Sequence, residues 1–82
     1  MEKINVEKLV KEIIADRLDV AMEKVTPDAL LAKDIGMDSF GAVELTFELK
    51  DRFGIEIPQD DFSKIKKVED IVEYIYDHLK GG

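Results

Sequence analysis

Apolar residues recur along this chain in two clean helical stripes and one two-sided one. Val6, Leu9, Val10, Ile13 and Ile14 follow the i, i+3, i+4, i+7, i+8 spacing of a helix with one buried face. This predicts a first helix with Asn5 as its N-cap, ending near Leu18-Asp19. Val68, Ile71, Val72, Ile75 and Leu79 form a second stripe. There Glu69 and Asp70 sit at the positive end of the helix, and Lys80-Gly81 closes it. Between them, Ser39 to Phe53 reads as a helix capped by Asp38 and stopped by Gly54. Its apolar residues divide. Ala42, Leu45, Leu49 and Phe53 share one side; Phe40, Val43 and Phe47 share the opposite side, flanked by Glu44, Glu48 and Asp51. Either this helix is buried nearly all round, or its second side is a partner surface with an apolar centre and an acidic rim.

The remaining segments fix the architecture. About 20 residues between the first two helices lack periodicity and contain Pro27 and Gly36, a length at which loops are uncommon and often functional. Val20, Val25, Leu30, Leu31 and Ile35 are expected to tack this loop to the core. Gly54-Ile55-Glu56-Ile57-Pro58 alternates like a strand but has no partner, so it is expected to be loop. Gln59 to Ser63, after Pro58, suits one short turn of helix. The fold class is therefore all-α: a small four-helix bundle of three main helices and one short one, with a long loop between helices 1 and 2.

Composition narrows the function. The chain has 82 residues, so one domain over 1–82 is expected, with its core at about 6–79. It contains no cysteine and one histidine, His78, which leaves no thiolate or multi-histidine metal site and no catalytic thiol. Met1-Glu2-Lys3 does not read as a signal peptide, and no apolar run reaches membrane-span length, so a cytoplasmic monomer is expected. The net charge is −7, which argues against nucleic acid and membrane partners. Nine acids and three bases fall between Asp28 and Asp61, so a partner steered by charge is basic and meets the middle of the chain.

Asp38-Ser39 is the one constellation suited to chemistry. It reads as ordinary helix capping, or as a serine whose phosphate ester would meet unpaired N–H groups and the positive helix end. Gly41 would leave the surface beside that hydroxyl open. Other chemistries fail on spacing. Met37-Asp38-Ser39-Phe40-Gly41 lacks the first glycine of a nucleophile elbow, and an EF-hand loop from Asp34 would put Gly36 and Ser39 at the wrong positions. No catalytic residue and no metal ligand set is expected.

The stretch Asp34-Ile35-Gly36-Met37-Asp38-Ser39-Phe40-Gly41-Ala42-Val43-Glu44-Leu45 resembles the prosthetic-group site of acyl carrier proteins, D-x-G-x-D-S-L followed by V-E-L. The likeness continues through Phe53, Ile55-Glu56-Ile57-Pro58, Lys64-Ile65 and Val68 to Tyr74-Ile75. It implies that Ser39, flanked by Asp38, accepts 4′-phosphopantetheine from coenzyme A through a phosphopantetheinyl transferase. The arm's thiol would then carry an acyl group in fatty-acid, lipid or polyketide-type synthesis. The protein would be a carrier rather than an enzyme. It would shelter the chain between helices and present the second helix, through Phe40, Val43, Glu44, Phe47, Glu48 and Asp51, to basic patches on acyl-loading, elongating or transferring enzymes. Asp38-Ser39-Phe40-Gly41 and Arg52-Phe53 are also similar to D-alanyl carrier proteins, and Lys50 stands where fatty-acid carriers have an acid. From another class, the same residues fit an unmodified acidic helical adaptor.

Overall fold

The computed structural model describes residues 2–81. Four α-helices follow one another: α1, Lys3–Arg17; α2, Ser39–Phe53; α3, Gln59–Phe62; and α4, Val68–Gly81. A 3₁₀ turn, Met22–Lys24, lies in the long crossover between α1 and α2. The expected all-α bundle is therefore present, and Gly54 to Pro58 is loop.

The first helix begins three residues earlier than its sequence signal. Glu2, not Asn5, is the N-cap, and its carbonyl accepts from Asn5 N–H at 3.0 Å and Val6 N–H at 3.1 Å. Asn5 is thus inside the helix, where Ile4 adds an exposed apolar residue outside the stripe. The other end stops where expected, although no glycine marks it. Asp19 adopts the left-handed conformation, φ 53°, and Val20 N–H reaches back to Ala15 O at 3.1 Å, the six-to-one bond of a Schellman ending.

One core unites the elements. Val6, Val10, Ile13 and Ile14 of α1 pack with Leu45 and Leu49 of α2 and with Val68, Ile71, Val72 and Ile75 of α4. Leu9 and Leu79, expected in the stripes, are only half-buried. From the crossover, Val25, Ala29, Leu31 and Ile35 are buried, and Val20 and Leu30 are half-buried.

The crossover also completes α4. A helix start leaves N–H groups without intrahelical acceptors; here Val68 N–H donates to Ala29 O at 3.1 Å and Glu69 N–H to Pro27 O at 2.9 Å. Leu31 N–H donates to Lys66 O at 2.9 Å, and Leu30 and Lys67 form an isolated antiparallel bridge. Asp70 Oδ2 accepts from the N–H groups of Lys66 and Lys67, each at 3.0 Å, as the acid of a capping box does. The long loop is therefore pinned by main-chain bonds. Its far end delivers Asp38 and Ser39 to the start of α2. Helix α4 includes Gly81, so its expected closure at Lys80-Gly81 lies at the edge of the described residues.

Candidate functional site

The site is built at the junction of the crossover and α2. Gly36, at φ 84°, turns the chain, and Met37 N–H donates to Leu31 O at 2.8 Å. Asp38 follows in extended conformation as the N-cap. Its Oδ1 accepts from Gly41 N–H at 2.7 Å and its carbonyl from Ala42 N–H at 2.9 Å. The carbonyl bond is the first intrahelical one, and the carboxylate satisfies one orphan donor of α2, leaving the N–H groups of Ser39 and Phe40 at the mouth of the helix. Ser39 is the first helical residue and is exposed. An oxygen-rich anion esterified to its hydroxyl therefore meets main-chain donors and the positive end of the helix dipole. Asp38 serves the helix while it flanks the serine.

Gly41 has a different role from the one its sequence position suggests. It is buried, not beside an open surface. A Cβ there would lie 2.9 Å from Leu18 Cδ2 and 3.3 Å from Asp38 Oδ1. The glycine lets the end of α1 close onto the first turn of α2 and keeps the capping carboxylate in place. Only the tertiary packing of Leu18 reveals this.

Three hollows adjoin α2; the smallest lies between Thr46, Phe47 and Lys50 and the loop residues Glu56 and Ile57, and the other two are larger. One, of about 420 Å³, runs from Ser39 past Ala42, Val43 and Thr46, with Ile57, Gln59, Phe62 and Ser63 opposite. The other, of about 570 Å³, lies around Phe47, between Arg17, Glu44, Glu48, Lys50 and Asp51, and does not include Ser39. Of those two, the larger is a trough among charged side chains, and the smaller is continuous with the serine.

The second side of α2 faces solvent. Phe40, Val43 and Phe47 are 72%, 53% and 70% exposed. Asp51 is exposed and Glu44 half-buried. Glu48 stands apart from these acids. It accepts from Arg17 Nη2 at 2.6 Å and Arg52 Nε at 2.8 Å, and only 11% of its side chain is accessible. It ties α1 to α2 and has little left to offer a partner. Lys50 pairs loosely with Glu56 at 3.6 Å, both ends exposed. His78 is engaged at α4, its Nδ1 2.9 Å from Tyr74 O and its ring stacked on Tyr74.

An exposed serine at the positive end of α2, delivered there by a pinned crossover, is suited to holding a phosphate-linked group. The comparisons agree. The family model described as a phosphopantetheine attachment site matches residues 8–75, and the chain belongs to that family, the acyl carrier proteins. It is 39% identical over 79 residues to the acyl carrier protein of Rickettsia bellii strain RML369-C, covering 95% of this chain and 92% of the relative. It is 41% identical over 75 residues to that of Thermosynechococcus vestitus, with 92% and 93% covered. It is 43% identical over 72 residues to that of Nitratidesulfovibrio vulgaris strain DP4, with 88% and 95% covered. The prosthetic group of this family is 4′-phosphopantetheine, and the exposed hydroxyl with its neighbouring N–H donors fits a phosphodiester. Among the described residues no helix is long and apolar enough to cross a membrane.

Proposed function

We propose that Ser39 is the attachment point of 4′-phosphopantetheine and that the chain, a single carrier domain, ferries acyl groups between enzymes of fatty-acid, lipid or polyketide-type synthesis. The observation that carries this reading is the exposed Ser39 hydroxyl at the first position of α2, with Asp38 already engaged as the cap. The transferase reaction balances at one bond. Ser39 Oγ attacks the pantetheine-bearing phosphorus of coenzyme A, the pyrophosphate linkage breaks, 3′,5′-ADP departs, and the serine proton passes to a base of the transferase. Once bound, the arm supplies a thiol that holds its cargo as a thioester, so the reactive atom belongs to the cofactor and the chain supplies attachment and recognition. Tethering raises the concentration of that cargo at any docked active site.

Recognition falls to α2. Phe40, Val43 and Phe47 form an apolar centre, and Glu44 and Asp51 are the acids open to a basic patch. In this reading the protein works as a monomer in the cytoplasm. Its partners are the transferase and the acyl-loading, elongating or transferring enzymes. The test is intact mass after incubation with a broad-specificity phosphopantetheinyl transferase, coenzyme A and magnesium. The wild type is expected to gain one arm, and Ser39→Ala none while keeping its helical circular dichroism. Ser63, the other serine of the chain, donates to Asp60 O at 2.8 Å, and Ser63→Ala is expected to load normally. Loading of Ser39→Ala, or no loading of wild type by several transferases, overturns the assignment in favour of the unmodified adaptor.

A further inference from the structure

The charges around the exposed Phe47 ring do not form a plain acidic rim. Glu48 is held by Arg17 at 2.6 Å and by Arg52 at 2.8 Å, so its charge is spent inside the molecule. Glu44, Lys50 and Asp51 remain open beside the ring. Going round α2 at about 100° per residue, Glu44 lies about 60° and Asp51 about 40° to one flank of Phe47, and Lys50 lies about 60° to the other. Ser39, about 80° round from Phe47, shares the flank of Lys50. The ammonium of Lys50 is 3.6 Å from Glu56, with 58% and 75% of the two side chains accessible, and a pair so exposed holds neither partner firmly. The open face is therefore acidic along one flank of its apolar centre and cationic on the other.

Resting on the assignment of Ser39, we propose that the enzyme served by this carrier docks over Phe47 with a surface of two signs. It offers an apolar socket to the ring, a base to Glu44 and Asp51 on one side, and a carboxylate to Lys50 on the other. A uniformly basic surface answers the two acids but sets a cation against Lys50, and like charges brought together in an interface oppose binding. A carboxylate at that point removes the clash. The polarity also fixes direction. Turned end for end about Phe47, the same partner brings its base to Lys50 and its carboxylate to the acids. One orientation alone matches, and it sets which end of the partner meets Ser39. Lys50 is thus a specificity-determining residue, because it repels the wrong surface as well as attracting the right one.

The experiment uses the arm-bearing protein, its mass confirmed, and takes as probe a malonyl transferase of fatty-acid synthesis with a docking surface of lysines and arginines. Malonyl transfer from malonyl coenzyme A to the arm is followed for wild type, Lys50→Glu and Lys8→Glu. Lys8 is exposed on α1, and its reversal changes the net charge by the same amount. Lys50→Glu is expected to raise kcat/KM about fivefold at low salt, with the gain shrinking as sodium chloride is added. Lys8→Glu is expected to change it by less than about twofold. The lysines and arginines around the mouth of the probe's active site are then reversed to Glu one at a time. At least one reversal is expected to favour wild type over Lys50→Glu, as a restored pair of opposite charges does.

A Lys50→Glu form that the probe treats like wild type overturns the proposal. So does a Lys8→Glu form that gains as much as Lys50→Glu, since net charge alone would then account for the effect. A set of probe reversals none of which favours wild type overturns it as well. A mass without the arm is a separate failure: it overturns the Ser39 assignment, and this proposal with it.

Discussion

Phe47 and Leu49 are two residues apart on α2, yet one is 70% exposed and the other fully buried. Their substitutions should therefore differ sharply. Phe47→Ala is expected to change stability by no more than about 0.5 kcal/mol, as surface changes do. Leu49→Ala is expected to cost about 2–5 kcal/mol, because it opens a cavity among side chains that relax only partly. Urea denaturation of the two variants checks this, and a loss for Phe47→Ala close to that of Leu49→Ala would place Phe47 in the core. The sequence left this point open, since helical periodicity shows two apolar sides of α2 but not which neighbours exist to cover them. Gly41 was illegible for a related reason: the atom it makes room for, Leu18 Cδ2, belongs to the C-cap of α1, far from it in the chain.

Among the elements, α3 is the least secured. It has four residues, none buried, and borders the cleft beside Ser39. A bond from α4 anchors it: Tyr74 donates its hydroxyl to Asp61 Oδ2 at 2.8 Å. Burial first, then that hydrogen bond and the negative charge of Asp61, raise the Tyr74 pKa above its ordinary 10.0. The folded state therefore holds the phenol proton more tightly than the unfolded chain does. This contribution to stability is full below the unfolded pKa of about 10 and is lost as pH rises through the higher folded value. Tyr74→Phe is accordingly expected to lower stability at neutral pH and to remove part of the decline above about pH 10. Parallel denaturation of both proteins between pH 8 and pH 11 (roughly the span over which such a phenol titrates) checks it. Identical slopes would mean that Tyr74 has no different affinity for its proton in the two states. The short helix was visible in Pro58 and the acids after it, whereas its tether joins residues 13 apart and carries no local signal.

The whole molecule spans 31 × 25 × 20 Å and carries −7. At about 0.01 M salt the screening length is about 30 Å, so every acid senses every other; at about 0.15 M it is about 8 Å. The ion pairs Lys50–Glu56 and Lys67–Glu69 are exposed and long, and pairs of that kind contribute about 0–1 kcal/mol at most. Net repulsion should prevail. The melting temperature is expected to rise when sodium chloride is added over this range at neutral pH. A flat or falling curve would show that the Arg17–Glu48–Arg52 cluster and its fellows already offset the excess charge.

The sequence by itself determined the helical class, the limits of α2 and the place of its serine. Each rests on a local rule: a 3.6-residue repeat, a carboxylate three residues before the N–H it caps, a glycine at φ 69° that can end a helix. It missed the true start of α1, where Glu2 caps through its main chain with no side-chain bond; it placed the stop near Leu18-Asp19 but not the means, a residue other than glycine in the left-handed turn. Tertiary structure alone decided three matters: that the crossover caps α4, that Glu48 is held between two arginines, and that Phe40, Val43 and Phe47 meet solvent. All three depend on which distant groups become neighbours. A one-dimensional pattern can show that a side chain is apolar or charged, but its burial and its partner are set only when the helices pack.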